Sequence, residues 1–403
     1  MRPNDPKFKK RNPEDYFKLG RTQLENHLRT ERNKERKDNP LYQFKDFLGQ
    51  SVWKWIYFYL RSRFGAKHAY PDYVYSSTGI YDIENEPSSE VSIAIAGDWA
   101  TNTEDAFGVA RKMASLHPEY TIHIGDTYFV GAPHEVAANF ILEGSPWVRG
   151  SRGSFAILGN HEMYARGVSF FRDLLPTLGL KDKNGKFGGQ EAGYFCLETA
   201  YWRIVGIDTG YNSVGLPVIE MLPGHASDCR LPDSLVKWLK DTLKLGDPGD
   251  KRGIVILSHH QYLSAFGEME YLVPARQLAE VIGKQRPVIW LWGHEHKLAI
   301  YDKAQVGEGV TAYGRCIGHG GMPIQINSDF VKNPANHGYS FLLDADMRVQ
   351  KTFENMKFGF NGFAMIRLKN EVLSIAYHDH QIRLFTEDWK MNDDMTLDRK
   401  VVQ

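Results

Sequence analysis

The chain has 403 residues, of which 42% are hydrophobic and 24% are charged, and it has no net charge at pH 7. A chain of this length can bury a large core, so one large domain with an appendage fits better than three small domains. The charge is unevenly distributed, because residues 1–70 contain 17 Lys and Arg against 8 Asp and Glu. We therefore expect a basic appendage at the N-terminal end.

The first 89 residues form this predicted appendage, a helical extension that ends in a Pro/Ser-containing linker. Within it, residues 41–64 interleave aromatic side chains with Lys and Arg, and this stretch is too short and too charged to span a bilayer. Docking on the main domain is the favoured prediction. Contact with an anionic membrane surface or a protein through residues 41–70 is the alternative. No nucleic-acid-binding module is recognisable, so we expect no nucleic-acid partner.

Three cysteines, Cys196, Cys229 and Cys316, form no paired framework and no Cys-x-x-Cys motif. Reduced thiols are the simplest interpretation of this pattern. The sequence also begins without the apolar stretch of a secretory signal, and it contains no Asn-x-Ser/Thr site. These features predict a cytoplasmic location.

Residues 90–385 alternate between strand and helix patterns, which is typical of an α/β domain. The predicted strands of its first part are 92–97, 120–125, 154–159, 193–198, 201–208, 253–258 and 287–293. The predicted helices between them are 104–116, 134–142, 168–178, 232–245 and 274–284. The later strands are predicted at 298–301, 309–313, 339–344, 362–368, 372–378 and 382–385. Residues 386–403 are polar, and we expect a loose tail there.

Five short segments place metal-seeking side chains directly after predicted strands. These segments are Gly97-Asp98-Trp99, Gly125-Asp126-Thr127-Tyr128, Gly159-Asn160-His161-Glu162, Ser258-His259-His260 and Gly293-His294-Glu295-His296. Because open α/β sheets carry their chemistry where strands end, these side chains are expected to gather in one place. Donors from Asp, Asn and His suit borderline or hard metals, so zinc fingers and iron–sulfur clusters are poor interpretations. The segments predict a site for two metal ions, with Asp126 as the bridge.

The order of the segments resembles the calcineurin-like metallophosphoesterase superfamily, whose pattern runs Asp, Gly-Asp, Gly-Asn-His-Asp/Glu, His and Gly-His-x-His. Most members carry Asp-x-His in the first block, whereas Asp98 is followed here by Trp99 and Ala100. Gly-Asp-Trp is instead similar to the purple acid phosphatases, in which a tyrosinate replaces that histidine. Tyr128 is the corresponding residue, although Phe129 stands at the family's usual position, three residues after the aspartate. The alternative role for Tyr128 is core packing.

The resemblance implies a ligand set for each of two metal ions, which would be Fe, Mn or Zn. The first set is Asp98, Asp126, Tyr128 and His296, and the second is Asp126, Asn160, His259 and His294. His161 would be catalytic, because an imidazolium beside the phosphoryl group can protonate a leaving alkoxide or stabilise charge on the oxygens.

Three further residues are candidates for substrate binding. His260 neighbours a ligand and either lines the substrate pocket or orients the metal ligands. Arg315 and His319 stand in a glycine-rich stretch after the last ligand, and Arg suits a bidentate grip on phosphate. A glycine-rich turn with a surface Arg is the alternative.

The resemblance also implies a four-layer αββα sandwich for residues 90–385. The implied activity is the hydrolysis of phosphate esters by a metal-bound hydroxide, without a phosphoenzyme. Phosphomonoesters are the favoured substrates, and phosphodiesters such as cyclic nucleotides or lipid headgroups are the alternative, because specificity lies in loops over the site. A second alternative is a non-catalytic scaffold with the same fold.

Overall fold

The structure is a computed structural model that describes residues 60, 64–73, 78–84, 90–214, 227–266, 269–326, 339–343, 345–353 and 355–402. The predicted N-terminal helix and most of the aromatic segment lie outside the described residues. None of the helices that the structure describes is long and apolar enough to cross a membrane.

The described residues form an α/β protein with two mixed sheets of eight strands each. The strands in chain order are β1 (Ile80–Asp82), β2 (Val91–Ala96), β3 (Tyr120–His123), β4 (Gly153–Ala156), β5 (Gly179–Leu180), β6 (Phe195–Glu198), β7 (Trp202–Gly206), β8 (Gly253–Ser258), β9 (Val288–Trp292), β10 (Leu298–Ala304), β11 (Ala312–Ile317), β12 (Gln325–Ile326), β13 (Phe341–Leu343), β14 (Lys351–Phe353), β15 (Met356–Phe358), β16 (Gly362–Lys369), β17 (Val372–Asp379), β18 (Arg383–Met391) and β19 (Leu397–Val402). The first sheet has the order β1-β6-β7-β8-β9-β11-β10-β13, and the second has the order β19-β18-β17-β16-β2-β3-β4-β5. Strands β12, β15 and β14 form a separate small sheet.

Short and long helices connect the strands. The α-helices are α1 (Glu104–Ser115), α2 (Pro133–Val136), α3 (Asn160–Tyr164), α4 (Asp233–Lys237) and α5 (Leu272–Ile282). Helices α2 and α4 continue as π-helical turns, and residues 170–177, part of the predicted helix 168–178, form a π-helical and then a 3₁₀ turn. Thr103 caps the start of helix α1, because its side chain accepts a hydrogen bond from the backbone N–H of Ala106. This cap satisfies one of the free N–H groups at the start of the helix.

The two sheets share one apolar core. Alternate side chains of β2, such as Ile93, lie in the same buried cluster as alternate side chains of β8, such as Val255. The other face of the first sheet packs on helical side chains that include Trp238 and Leu278, and the other face of the second sheet packs on Val109 of α1. Because successive side chains of a strand point to opposite faces, these central strands are buried on both sides. This explains their continuous apolar sequences.

The last two strands correct the predicted loose tail at residues 386–403. Strand β18 pairs with β17, and β19 continues the second sheet beyond it. Glu387 and Trp389 face inward from β18 and are 0% and 1% exposed. The buried carboxylate of Glu387 accepts hydrogen bonds from Arg315 at 2.9 and 2.8 Å. A charged residue at a core position breaks the apolar alternation that identifies a strand, so the polar sequence concealed the part of β18 beyond the predicted strand 382–385.

The described residues that precede β1 contact the main domain. The backbone N–H of His68 donates to the carbonyl of Arg166 at 3.0 Å, and the hydroxyl of Tyr211 donates to the carbonyl of His68 at 2.7 Å. The ring of Tyr70 lies 4.7 Å from that of Tyr211. This short stretch is therefore docked beside the loops that follow α3 and β7.

Candidate metal centre

The sheets bring the predicted ligands together at the carboxyl ends of their strands. Asp98 and Asp126 follow β2 and β3, which are parallel neighbours in the second sheet. His259 and His294 follow β8 and β9, which are parallel neighbours in the first sheet. Asp98, Asp126 and His294 have positive φ angles of 54°, 71° and 65°. These three residues thus lie in abrupt turns after their strands, and the site lies between the two sheets.

Glycines in the motifs allow the ligands to approach one another. A Cβ atom added at Gly159 would lie 2.1 Å from Oδ1 of Asp126, and one added at Gly293 would lie 2.5 Å from Oδ2 of Asp98. Any side chain at either position would displace a carboxylate of the cluster. These two motifs therefore require glycine for close packing around the site.

His259 contacts the other three residues of the predicted second ligand set. Its Nε2 atom lies 3.2 Å from Oδ2 of Asp126, 3.2 Å from Oδ1 of Asn160 and 3.3 Å from Nδ1 of His294. Its Nδ1 atom lies 3.0 Å from the carbonyl of Ile124 and donates to it. The hydrogen bond to the carbonyl leaves Nε2 as the nitrogen available for a metal ion. The four predicted ligands are therefore adjacent.

Tyr128 contacts the other three residues of the predicted first ligand set. Its hydroxyl lies 2.8 Å from Oδ1 of Asp98, 3.2 Å from Oδ2 of Asp126 and 2.9 Å from Nε2 of His296. One hydroxyl hydrogen can serve only one of these three neighbours at a time. Burial and the two carboxylates raise the pKa of Tyr128 well above its ordinary value, so a tyrosinate here requires a cation beside it.

The charges of the cluster fit bound cations. Burial opposes ionisation of Asp126, but His161 and His259 outweigh it and lower the pKa of this carboxyl well below its ordinary value. Burial likewise opposes protonation of His259, but Asp126 raises its pKa to about 9. Ligand atoms of Asp98, Asp126 and His259 all lie within 4.8 Å of one another. Two buried carboxylates with amide, phenol and imidazole donors match the preferences of Fe, Mn and Zn.

His161 is placed for a role different from that of Asn160. Its backbone N–H donates to Oδ1 of Asp126 at 3.0 Å, and its Nδ1 lies 2.6 Å from the carbonyl of Phe129. Its Nε2 therefore remains open toward the site, 3.6 Å from Oδ2 of Asp126. The side chain is 19% exposed, whereas that of Asp126 is 2% exposed. The ring is held at one nitrogen and accessible at the other.

The three candidates for substrate binding lie in different places. His260 joins the site, because one of its ring nitrogens lies within 4.8 Å of ring nitrogens of His259 and His294. Arg315 does not, since its side chain is 0% exposed and its guanidinium is bound to Glu387. It pairs in register with Leu291 of β9, whose side chain belongs to the core between the sheets.

His319 also lies outside the ligand cluster. Its ring is buried beside β16, where a Cβ atom added at Gly362 would lie 2.8 Å from Nε2. Burial lowers the pKa of His319 to about 4, so this imidazole is neutral. The placement of both residues therefore contradicts the predicted substrate contacts. The side chain of Arg315 faces the core between the sheets, and that of His319 faces β16.

Two residues to which the sequence analysis assigned no role support the site. Oε2 of Glu162 accepts the backbone N–H groups of Gly159 and Asp126 at 2.9 and 3.1 Å, which ties two ligand-bearing turns together. Glu162 stands at the third position of α3, where Glu typically caps a helix, so a capping signal was present in the sequence. Thr209 contacts His260 at 3.0 Å, and no sequence signal marked it.

Residues 91–298 match the family described as calcineurin-like phosphoesterase, and the chain belongs to this family. The buried His/Asp cluster corresponds to the metal site expected for such a protein. A comparison with curated proteins gave no match.

The chain was also compared with solved structures, and the matches have low sequence identity to it. GAP50, the anchor in the inner membrane complex of Plasmodium, is 12% identical with a TM-score of 0.47, covering 75% of this chain and 90% of that chain. Purple acid phosphatase PPD1 from yellow lupin (Lupinus luteus) seeds is 15% identical with a TM-score of 0.43, covering 73% of this chain and 52% of that chain. PhoD is 11% identical with a TM-score of 0.47, covering 79% of this chain and 73% of that chain.

Proposed function

We propose that this protein hydrolyses phosphate esters at a site for two metal ions. The observation that carries the proposal is the convergence of Asp98, Asp126 and His259 within 4.8 Å, in a chain of the calcineurin-like phosphoesterase family. We also infer that the two sheets and their outer helices form a four-layer αββα sandwich. This arrangement would leave the strand ends of both sheets at one open edge for a substrate.

The proposed ligands follow the two groups of contacts. Asp98, Tyr128 and His296 surround one position, and Asn160, His259 and His294 surround the other. Asp126 contacts both groups through Oδ2, which lies 3.2 Å from the hydroxyl of Tyr128 and 3.2 Å from Nε2 of His259. This double contact supports Asp126 as the bridge. When bound, the ions would supply Lewis acidity toward phosphoryl oxygens and lower the pKa of coordinated water.

His161 would handle the proton of the leaving group. The carbonyl of Phe129 fixes the Nδ1 side of the ring, and the backbone contact with Asp126 fixes the chain beneath it. Nε2 is thus the nitrogen that can meet a substrate, and in the protonated ring it can donate to the departing alkoxide. The same donor can stabilise negative charge that develops on the phosphoryl oxygens.

Phosphomonoesters are the favoured substrates. Phosphodiesters such as cyclic nucleotides or lipid headgroups remain the alternative, since loops rather than metal ligands set the choice. A non-catalytic scaffold is the second alternative, and the presence of Asn160, His161 and a buried His/Asp cluster argues against it. The cytoplasmic location also remains a prediction, and the three buried, unpaired cysteines are compatible with it.

Metal analysis combined with two generic substrates tests the proposal. The full chain, loaded separately with Mn, Zn or Fe, should bind about two metal ions and hydrolyse p-nitrophenyl phosphate faster than bis-p-nitrophenyl phosphate. His117→Asn is a suitable control, because this exposed histidine follows α1, near the start of β3 and away from the carboxyl strand ends. A metal-loaded chain that cleaves neither ester would favour the scaffold. Faster cleavage of the diester would make phosphodiesters, and not phosphomonoesters, the favoured substrates.

A further inference from the structure

We propose that Thr209 holds His260 as a hydrogen-bond donor to the phosphoryl group, and not as a third histidine ligand of the second metal ion. The inference rests on the proposed function and deepens it, because it concerns how the same site recognises phosphate. Two adjacent histidines, His259 and His260, both lie near His294.

Thr209 makes two contacts with His260. Its Oγ1 atom accepts the backbone N–H of His260 at 3.0 Å and lies 3.0 Å from the Nδ1 atom of the same residue. Thr209 is 0% exposed, so its hydroxyl hydrogen cannot be satisfied by bulk water. Within the part of the chain that the structure describes, Nδ1 of His260 is the one acceptor in reach of this hydrogen. The hydroxyl therefore donates to Nδ1.

This hydrogen bond determines the tautomer of His260. A ring that accepts at Nδ1 carries its hydrogen on Nε2, so Nε2 is a donor and has no lone pair for a metal ion. The opposite arrangement would place a hydrogen on Nδ1 and leave the buried hydroxyl hydrogen of Thr209 without an acceptor. Such an orphaned group costs about 1–3 kcal/mol. The hydrogen-bond network thus assigns the Nε2–H form.

The adjacent histidines consequently have opposite roles. His259 donates from Nδ1 to the carbonyl of Ile124 and keeps Nε2 as a metal ligand. His260 accepts at Nδ1 and keeps Nε2–H as a donor, with its ring centroid 4.6 Å from that of His294. A fixed donor beside a metal ligand is suited to a phosphoryl oxygen, whose negative charge grows in the transition state. Thr209 is then a positioning residue that acts through His260.

Two substitutions of His260 separate a donor from a metal ligand. His260→Asn places its amide near the position of Nδ1, which preserves a partner for Thr209 but removes the donor at the Nε2 position. His260→Gln extends its amide to the Nε2 position and is the matched control. Each full-length variant is loaded with Mn, its metal content is measured, and its affinity for inorganic phosphate is determined by calorimetry. Thr209→Val and Thr209→Ser are measured in the same way.

We expect about two Mn ions per chain in all four variants. The dissociation constant for phosphate should rise about 10-fold or more in His260→Asn, as is typical for a lost hydrogen bond to a charged group, and less in His260→Gln. Thr209→Val should weaken phosphate binding, and Thr209→Ser should restore it.

Loss of one Mn ion in His260→Asn would identify His260 as a metal ligand and overturn the proposal. Unchanged phosphate affinity in that variant would reduce His260 to a packing residue. A wild-type chain that binds Mn and phosphate but cleaves no ester would refute the proposed hydrolysis while this test still stands.

Discussion

Replacement of Glu387 by Gln should destabilise the protein strongly, because it leaves the charge of Arg315 buried without a counterion. Both side chains are 0% exposed, and the guanidinium donates from Nε and Nη2 to the two carboxylate oxygens at 2.9 and 2.8 Å. Nη1 donates to the carbonyls of Tyr301 and Gly314, each at 2.7 Å. Gln keeps the size and one accepting oxygen, but not the charge. Breaking a buried pair in this way costs about 3–5 kcal/mol.

Urea denaturation of wild type and Glu387→Gln, followed by tryptophan fluorescence, measures this loss of unfolding free energy. Glu371→Gln is the matched control, because Glu371 lies in the turn between β16 and β17 and forms a half-exposed pair with Lys390 of β18. Such a pair is well solvated, so the control should change stability little. The double variant Arg315→Met/Glu387→Leu should recover part of the loss, because apolar residues often replace a buried pair without cost. The recovery should be incomplete, because the buried hydroxyl of Tyr377 loses its acceptor on Glu387. If Glu387→Gln were as stable as the wild type but bound phosphate more weakly, the structural role of the ion pair would be refuted. Arg315 would then again be a candidate for substrate binding.

Four further outcomes are expected. Asp126→Asn should release at least one metal ion and abolish hydrolysis, since a neutral amide cannot bridge two cations. Metal analysis and a phosphatase assay check this, and retained turnover would exclude Asp126 as the bridging ligand. His161→Ala should keep both metal ions but lower kcat by roughly 10²–10⁴-fold, whereas metal loss would make His161 a ligand. An Fe(III)-loaded sample should be coloured by charge transfer from a tyrosinate, and Tyr128→Phe should bleach it and weaken that site; a colourless sample with unchanged metal affinity would leave Tyr128 as a packing residue. Deletion of residues 1–70 removes the contacts of His68 and Tyr70, so the melting temperature should fall. An unchanged melting temperature, together with salt-sensitive binding of the full chain to anionic liposomes, would indicate that this segment contacts a membrane surface.

The strands that carry the ligands could be predicted from the sequence. Strand β8 has the predicted bounds, and β2, β3 and β9 differ from prediction by one or two residues at one or both ends. Strand β4, which precedes Asn160, ends three residues earlier than predicted. These strands are buried on both faces, so their apolar runs are continuous, and a glycine or serine stands directly before the polar ligand at the end of each one. Local sequence was therefore sufficient where strand, turn and ligand follow one another directly.

Features that depend on distant contacts could not be predicted. Arg315 resembles a surface residue in a glycine-rich stretch until β18 supplies Glu387, 72 positions later, as its partner. Without that pairing, the polar sequence from residue 386 through β19 indicates a tail. Thr209 contacts His260 across 51 positions, and no motif links these two residues. Each of these contacts is set by the fold and not by spacing along the chain.

Anomalous diffraction from crystals loaded with Mn or Zn tests whether the chain holds two metal ions at this cluster. We expect two anomalous peaks roughly 3.5–4 Å apart, one beside Asp98 and His296 and the other beside His259 and His294, with Asp126 in contact with both. A single peak would contradict a site for two metal ions. The absence of any peak at this cluster in fully loaded crystals, or peaks held by other residues, would contradict the proposed metallophosphoesterase site itself.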